Sequence, residues 1–169
     1  MSALPPHFDP YALLAALERQ RVSYVLIGAF ARVVQGTEEL THGLDVVPST
    51  RDQNIRRLAL ALEALDARHR GGRSVALERD LARGPVLELE TSAGEVKVVA
   101  EPAGTRGYDD LRRHATREPI GKGLRPSVAS IGDLARMAAA LGREQDREPL
   151  QQLRTLAELA RGLHRGLER

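Results

Sequence analysis

Apolar and polar positions change period several times along the chain, and each change marks an element. Leu13, Leu14 and Leu17 recur at helical spacing behind Asp9-Pro10. That pattern predicts a helix over about 10–20, with Asp9 as its N-cap and Pro10 in its first turn. Ser23-Tyr24-Val25-Leu26-Ile27 is a short apolar run ended by Gly28, the mark of a buried strand feeding a turn. Residues 29–35, apolar on one side and ended by Gly36, read as a two-turn helix, and Leu44-Asp45-Val46-Val47 as a second strand stopped by Pro48.

Helical spacing returns at Ile55, Leu58, Leu62 and Leu65, behind Thr50-Arg51-Asp52-Gln53, which fits a capping box. The stretch 67–85, interrupted by Gly71-Gly72, carries no clear period. Residues 86–90 and 95–100 then alternate with period two around Ser92-Ala93-Gly94, predicting a β-hairpin. A loop over 91–94 sets Lys97 opposite Glu88, and a two-residue loop at 93–94 sets it opposite Glu90. Either register gives Lys97 an acidic neighbour.

Beyond the hairpin, 108–113 suggests a short helix and 118–126 an extended segment punctuated by Pro and Gly. Ser130-Ile131-Gly132-Asp133 is a second capping box, opening a helix to about Leu141 with Gly142 as its stop. Pro149 opens a last helix with the stripe Leu150, Leu153, Leu156, Ala160 and Leu163. The order αβαβα, a hairpin and then helices predicts an α+β fold, a small mixed sheet with helices packed on it. At 169 residues the chain has the size of one domain, its core expected over 8–101 and a helical part over 102–169.

Composition narrows the chemistry. Five aromatic residues, Phe8, Tyr11, Tyr24, Phe30 and Tyr108, leave an aliphatic core and speak against a nucleic-acid surface built on stacked bases. The absence of cysteine excludes a disulfide scaffold, a thiolate zinc site and a cysteine nucleophile, and points to the reducing cytoplasm. No apolar run approaches the roughly 20 residues of a membrane span, and the start of the chain, with Pro5-Pro6, lacks signal-peptide character. Neither a membrane nor a secreted location is therefore expected. The 25 basic and 23 acidic residues nearly balance overall. They do not balance locally: residues 102–169 carry 13 basic and 9 acidic groups, so a polyanion would be met mainly there. The histidines (His7, His42, His69, His114 and His164) show no metal-ligand spacing and read as surface or capping residues, His42 lying closest to the next motif.

The chemically informative constellation is Tyr24-Val25-Leu26-Ile27-Gly28-Ala29, a short helix, then Thr41-His42-Gly43-Leu44-Asp45. In this order, followed by Gly94 to Val99, Tyr108-x-x-Leu111 and Ser130 to Asp146, the chain resembles the nucleotidyltransferase superfamily of polymerase-β-like fold. Within it, the likeness is to the small bacterial minimal-nucleotidyltransferase and AbiEii-type toxin group, and it covers nearly the whole chain. The resemblance implies transfer of a nucleoside monophosphate from a nucleoside triphosphate. In that family Mg²⁺ is held by a Thr-x-Asp-hydrophobic-Asp strand and a third Asp on a neighbouring strand. Hard cations take oxygen ligands, and residues i and i+2 share a strand face. A Gly-Gly or Gly-Ser turn there brings backbone N–H groups to the triphosphate. Carried over, this implies nucleotide binding at Gly28, Ala29 and Thr41 and acidic positions at 43, 45 and 97.

At those three positions the sequence reads Gly43, Asp45 and Lys97. Ala29 keeps the N–H without a hydroxyl, and Ala138, beside Met137, stands where the family has Lys. An ammonium about 4 Å from a divalent cation repels it by roughly 8 kcal/mol at an effective dielectric near 20. The expectation is a remnant Asp45 paired with Lys97, aided by Glu88 or Glu90, with no metal and no resident cofactor. Such a protein would bind a nucleoside triphosphate, an RNA such as tRNA, or a protein partner without transfer. By resemblance that partner is the antitoxin of a toxin–antitoxin pair. The alternative is an active Mg²⁺-dependent enzyme modifying tRNA or protein, with ligands from Glu88, Glu90, Asp109 or Asp110. A third reading is an interaction module without a ligand. Taken singly, Gly28 and Gly43 are turn glycines, Asp45 a strand-end carboxylate, Lys97 a cross-strand partner of Glu, and Arg143 with Asp146 a pair at a helix junction.

Overall fold

Four consecutive buried residues, Tyr24-Val25-Leu26-Ile27, form the strand about which the molecule assembles. The computed structural model describes residues 7–167. They run α1 (Pro10–Arg19), β1 (Tyr24–Ile27), α2 (Gly28–Gln35), β2 (Gly43–Pro48), α3 (Asp52–Ala64), β3 (Arg68–His69), α4 (Leu77–Arg83), β4 (Val86–Thr91) and β5 (Gly94–Val99). There follow α5 (Tyr108–Leu111), β6 (Thr116–Arg117), β7 (Ser127–Val128), α6 (Ile131–Leu141), a 3-10 turn (Glu144–Asp146) and α7 (Arg147–Leu167). The fold is mixed α and β, with one seven-stranded sheet of order β3-β4-β5-β2-β1-β7-β6.

β1 pairs antiparallel with β2, Ile27 against Asp45, and parallel with β7 on its other side. β2 in turn lies parallel to β5, with Gly43 beside Glu95 and Asp45 beside Lys97. Alternation fixes these registers: Leu87, Leu89, Val96 and Val98 are buried while Glu88 and Glu90 point to solvent, and a slip of one residue would exchange the two sets. The β4–β5 hairpin turns at Ser92-Ala93 and sets Lys97 opposite Glu88. On the helical side, α1 packs on α3, while α2 packs on β1, β2 and α6, and α6 on α7. The core is aliphatic, and Phe8 meets Phe30 edge to face at 6.0 Å. Among the described residues no helix is long and apolar enough to cross a membrane.

Side-chain capping fixes the starts of α1 and α6. Asp9 accepts from the Ala12 N–H and Ser130 from the Asp133 N–H, at 3.1 and 3.0 Å, and α6 stops at Gly142 in the left-handed region. The box expected at Thr50 does not form. Arg51 occupies the cap position without a side-chain hydrogen bond, because sheet pairing continues through Ser49, whose N–H donates to Ser23 O at 3.0 Å. α7 begins at Arg147, ahead of Pro149, which is tolerated there because first-turn N–H groups lack helical acceptors. Its stripe is buried at Leu153 but leaves Leu163 and Ala160 exposed. The stretch 67–85 contains β3 and α4, and 116–128 a small hairpin; both are too short to show a period.

The start of α3 is tied to the sheet by Asn54, which is buried. Its side-chain oxygen accepts from the Ser23 N–H at 2.7 Å, and its amide donates to Ser23 O at 2.9 Å and Ser49 O at 2.7 Å. Removing it strands buried backbone groups that water cannot easily reach. Asn54→Ala is expected to lower unfolding free energy by about 2–3 kcal/mol in urea denaturation.

Candidate functional site

β1 ends at Ile27 and the chain turns at once into α2 through Gly28. This residue has φ +74°, a conformation side chains disfavour, and a Cβ here would run into the Asp45 carboxylate. Two independent constraints therefore demand glycine. The register that sets Ile27 against Asp45 puts the carboxylate directly beneath the turn.

Asp45 and Lys97 then stand side by side on β2 and β5. They border a cavity of about 210 Å³ together with Ala29, Thr41, Gly43 and Glu88. They also border one of about 460 Å³ with Gly28, Ala29, Arg32 and Arg143. The two cavities meet at Ala29, Leu40, Asp45 and Lys97 and form one cleft. Gly28, Ala29, Thr41, Gly43, Asp45 and Lys97, separated in sequence, are thus brought together. Thr41 is held by its hydroxyl, which donates to Gly43 O at 3.1 Å, and His42 and Glu90 lie on the same wall. Asp109 and Asp110 do not border the cleft; Asp110 accepts from the Arg106 N–H and Arg136 instead. Ala138 is a buried residue of α6.

The anticipated ion pair is not formed. Among the described residues, neither Asp45 nor Glu88 lies within 4.0 Å of the Lys97 ammonium, and Glu88 meets Arg70 at 3.5 Å. The short Asp45 side chain is tucked against Gly28. Burial pushes the Asp45 carboxyl above its ordinary range, against the opposing charges of Lys97, Arg32 and Arg143 and with the help of Glu88.

An ion-pair network that the sequence did not reveal forms the other wall. Arg32, buried on α2, donates to both Glu39 oxygens at 2.9 and 2.7 Å and lies 3.6 Å from Asp146. Asp146 accepts from Arg143 at 2.7 Å, and Glu39 also accepts from Thr37. This is the junction pairing of Arg143 with Asp146, extended to α2. No spacing rule connects Arg32 with Glu39 or Asp146, because a loop and the whole sheet intervene.

No protein-family model and no curated protein matches the chain. Solved structures do match. The lincosamide antibiotic adenylyltransferase LnuA, with lincomycin bound, aligns with a TM-score of 0.61 at 14% identity, over 89% of this chain and 99% of that one. The antibiotic-resistance factor ANT(2'')-Ia aligns at 0.58 and 12%, over 94% and 92%. A protein from Thermotoga maritima described as a nucleotidyltransferase (TM1012) aligns at 0.54 and 15%, over 83% and 86%. The chain has the nucleotidyltransferase fold.

Placed in that fold, the residues present do not fit a Mg²⁺ site. Of the three positions at which the sequence resemblance implies carboxylates, Asp45 alone carries one, and the neighbouring strand offers Lys97. Among the described residues no group of three or more His, Asp or Glu is placed to hold a metal ion. Gly43 adds a steric obstacle, since a Cβ there would lie 2.5 Å from the Glu95 carbonyl oxygen. A nucleotidyltransferase fold with β2 and β5 this close has no room for a side chain at that position.

The Asp45 shift has a measurable sign. A carboxyl whose pKa is higher folded than unfolded binds protons more tightly in the native state, so stability falls as pH rises through that window. Asp45→Asn is expected to raise Tm at pH 7, with the gain shrinking as pH falls to the ordinary aspartate range; thermal unfolding across pH checks it.

Proposed function

We propose that this nucleotidyltransferase-fold protein acts by binding a partner and does not transfer nucleotides, a degenerate relative of the AbiEii-type group. One observation carries the reading: the β2–β5 register juxtaposes Gly43, Asp45 and Lys97 where metal-dependent transfer needs three carboxylates. The balance of charge across the cleft supports it. Eight carboxylates (Glu38, Glu39, Asp45, Glu88, Glu90, Glu95, Asp146 and Glu148) face four cations, Arg32, Arg70, Lys97 and Arg143. The three arginines each lie within 4.0 Å of a carboxylate, leaving Lys97 as the cation among them without one in the described residues. A triphosphate without its metal meets like charge here, whereas Arg or Lys side chains of a protein partner meet complementary charge. Among the partners open to this fold, a protein of antitoxin type fits the cleft better than a nucleotide.

Incubation with Mg²⁺, each labelled nucleoside triphosphate and tRNA or the protein itself as acceptor is expected to give no transfer above background. Transfer abolished by Asp45→Ala would overturn the reading. Lys97→Asp removes a repulsion of roughly 8 kcal/mol at about 4 Å and is expected to introduce a Mg²⁺-dependent rise in Tm. Gly43→Asp is expected to lower Tm with or without Mg²⁺, because it forces β2 from β5.

A further inference from the structure

We propose that phosphate is bound outside the cleft, in an open cavity of about 740 Å³ along the β3–β4 edge, bordered by His69, Arg70, Arg73, Asp80 and Arg83. The sequence pattern placed His69 on the surface, but it is buried, and its Nε2 donates to Asp80 Oδ2 at 2.6 Å. Asp80 is itself held by the Ala76 N–H at 2.8 Å. Gly71 and Gly72, both at positive φ, turn the chain sharply, with His69 N–H donating to Arg73 O at 2.9 Å. This fixes Arg70 and Arg73 at the two ends of one tight turn.

The charges here are less compensated than in the cleft. Asp80 is occupied by His69, and Glu88 by Arg70 through an exposed 3.5 Å contact. Arg73 and Arg83 have no carboxylate within 4.0 Å among the described residues. Two free guanidinium groups match a phosphate dianion, which they can grip bidentately. No Phe, Tyr or Trp borders the cavity, and its guanidinium groups suit a phosphate. It shares Arg70 and Glu88 with the cleft wall, yet it does not depend on what the cleft binds.

The phosphate can come from a free nucleotide or from an RNA strand, and two probes separate them. The full chain is titrated with ATP without Mg²⁺ by calorimetry, and with a short labelled single-stranded RNA by fluorescence anisotropy at several salt concentrations. Arg73→Ala with Arg83→Ala, both exposed positions, is expected to weaken binding at least tenfold. For RNA, the salt slope is expected to fall by about 1 per arginine removed. Tight, salt-dependent RNA binding identifies a strand; equal affinity for ATP identifies a nucleotide. Binding of neither probe overturns the proposal, as does binding that survives the double variant or that is lost instead in Lys97→Ala.

The outer face of α7 carries a separate, independent feature. Leu159, Leu163 and Leu167 are 61%, 72% and 84% exposed and form a row beside Thr155, Gly162 and Gly166 in an unfilled groove. We infer that this face pairs antiparallel with α7 of a second copy. Glycines four apart let two helix backbones approach closely, and exposed leucines in a row mark an association surface. Charge selects the occupant and the direction. At about 100° per residue, Glu158 and Arg165 fall on the same flank of the stripe. They are about 10 Å apart along the helix, too far to pair with each other. In an antiparallel pair centred near Gly162 like flanks face each other, so each Glu158 meets the other copy's Arg165, two such contacts per dimer. A parallel pair would set them against Ala160 and His164.

Sedimentation velocity over a range of concentrations is expected to show a monomer–dimer equilibrium, lost in Leu163→Glu. Glu158→Arg and Arg165→Glu are each expected to weaken the dimer at least fivefold, and the two together to restore it. A monomer at every concentration overturns the pairing, leaving another partner or none for the face. A dimer indifferent to the charge swaps also overturns it.

Discussion

The contact between Gly28 and the Asp45 carboxylate governs the arrangement of this protein's cleft. It exists because β1 turns into α2 without an intervening loop, and because antiparallel pairing puts Asp45 against the last residue of β1. Any side chain at Gly28 would displace the carboxylate. On its other edge β2 pairs parallel with β5, which makes Lys97 Asp45's neighbour. The two pairings together build the frame of the fold and set Lys97 beside Asp45 in its cleft.

Charge pairing decides what the frame can hold. Arg32 and Arg143 are tied to Glu39 and Asp146, so the wall formed by α2 and the 3-10 turn is rigid and carries little free positive charge. Asp45 remains half-buried with its carboxyl pushed up by desolvation, a state that a bound divalent cation would reverse and that Lys97, set beyond contact distance, does not. Apart from Lys97, the cations of these cavities that no carboxylate approaches within 4.0 Å among the described residues are Arg73 and Arg83, which border the cavity at the Gly71-Gly72 turn. The molecule thus separates an acidic cleft from a basic cavity across a shared wall of Arg70 and Glu88.

Elements long enough to bury several residues were legible in the sequence, among them α1 with its Asp9 cap, β1, the β4–β5 hairpin and α6 with Ser130 and Gly142. β3, α4, β6 and β7 were not, since their placement depends on what lies beside them. The failed box at Thr50 shows the same limit: Ser49 stays paired with Ser23, and sheet pairing overrides a good local capping pattern. The site followed this rule. Gly28, Ala29, Thr41, Gly43, Asp45 and Lys97 could be named as a set because the motifs that carry the family resemblance contain them. Arg32, Glu39 and the His69–Asp80 pair lie in no such motif.

Local periodicity and turn chemistry along the chain determined the α+β class and the main strands, because each is a property of neighbouring residues. Tertiary structure alone decided that Lys97 stays apart from Asp45, that Gly43 has no space for a side chain, and that His69 is buried. It also decided which arginines are neutralised and which are free. The physical reason is one of range. Burial and backbone preference act over a few residues, whereas ion pairs, cavities and steric contacts are set by segments that meet only when the sheet closes.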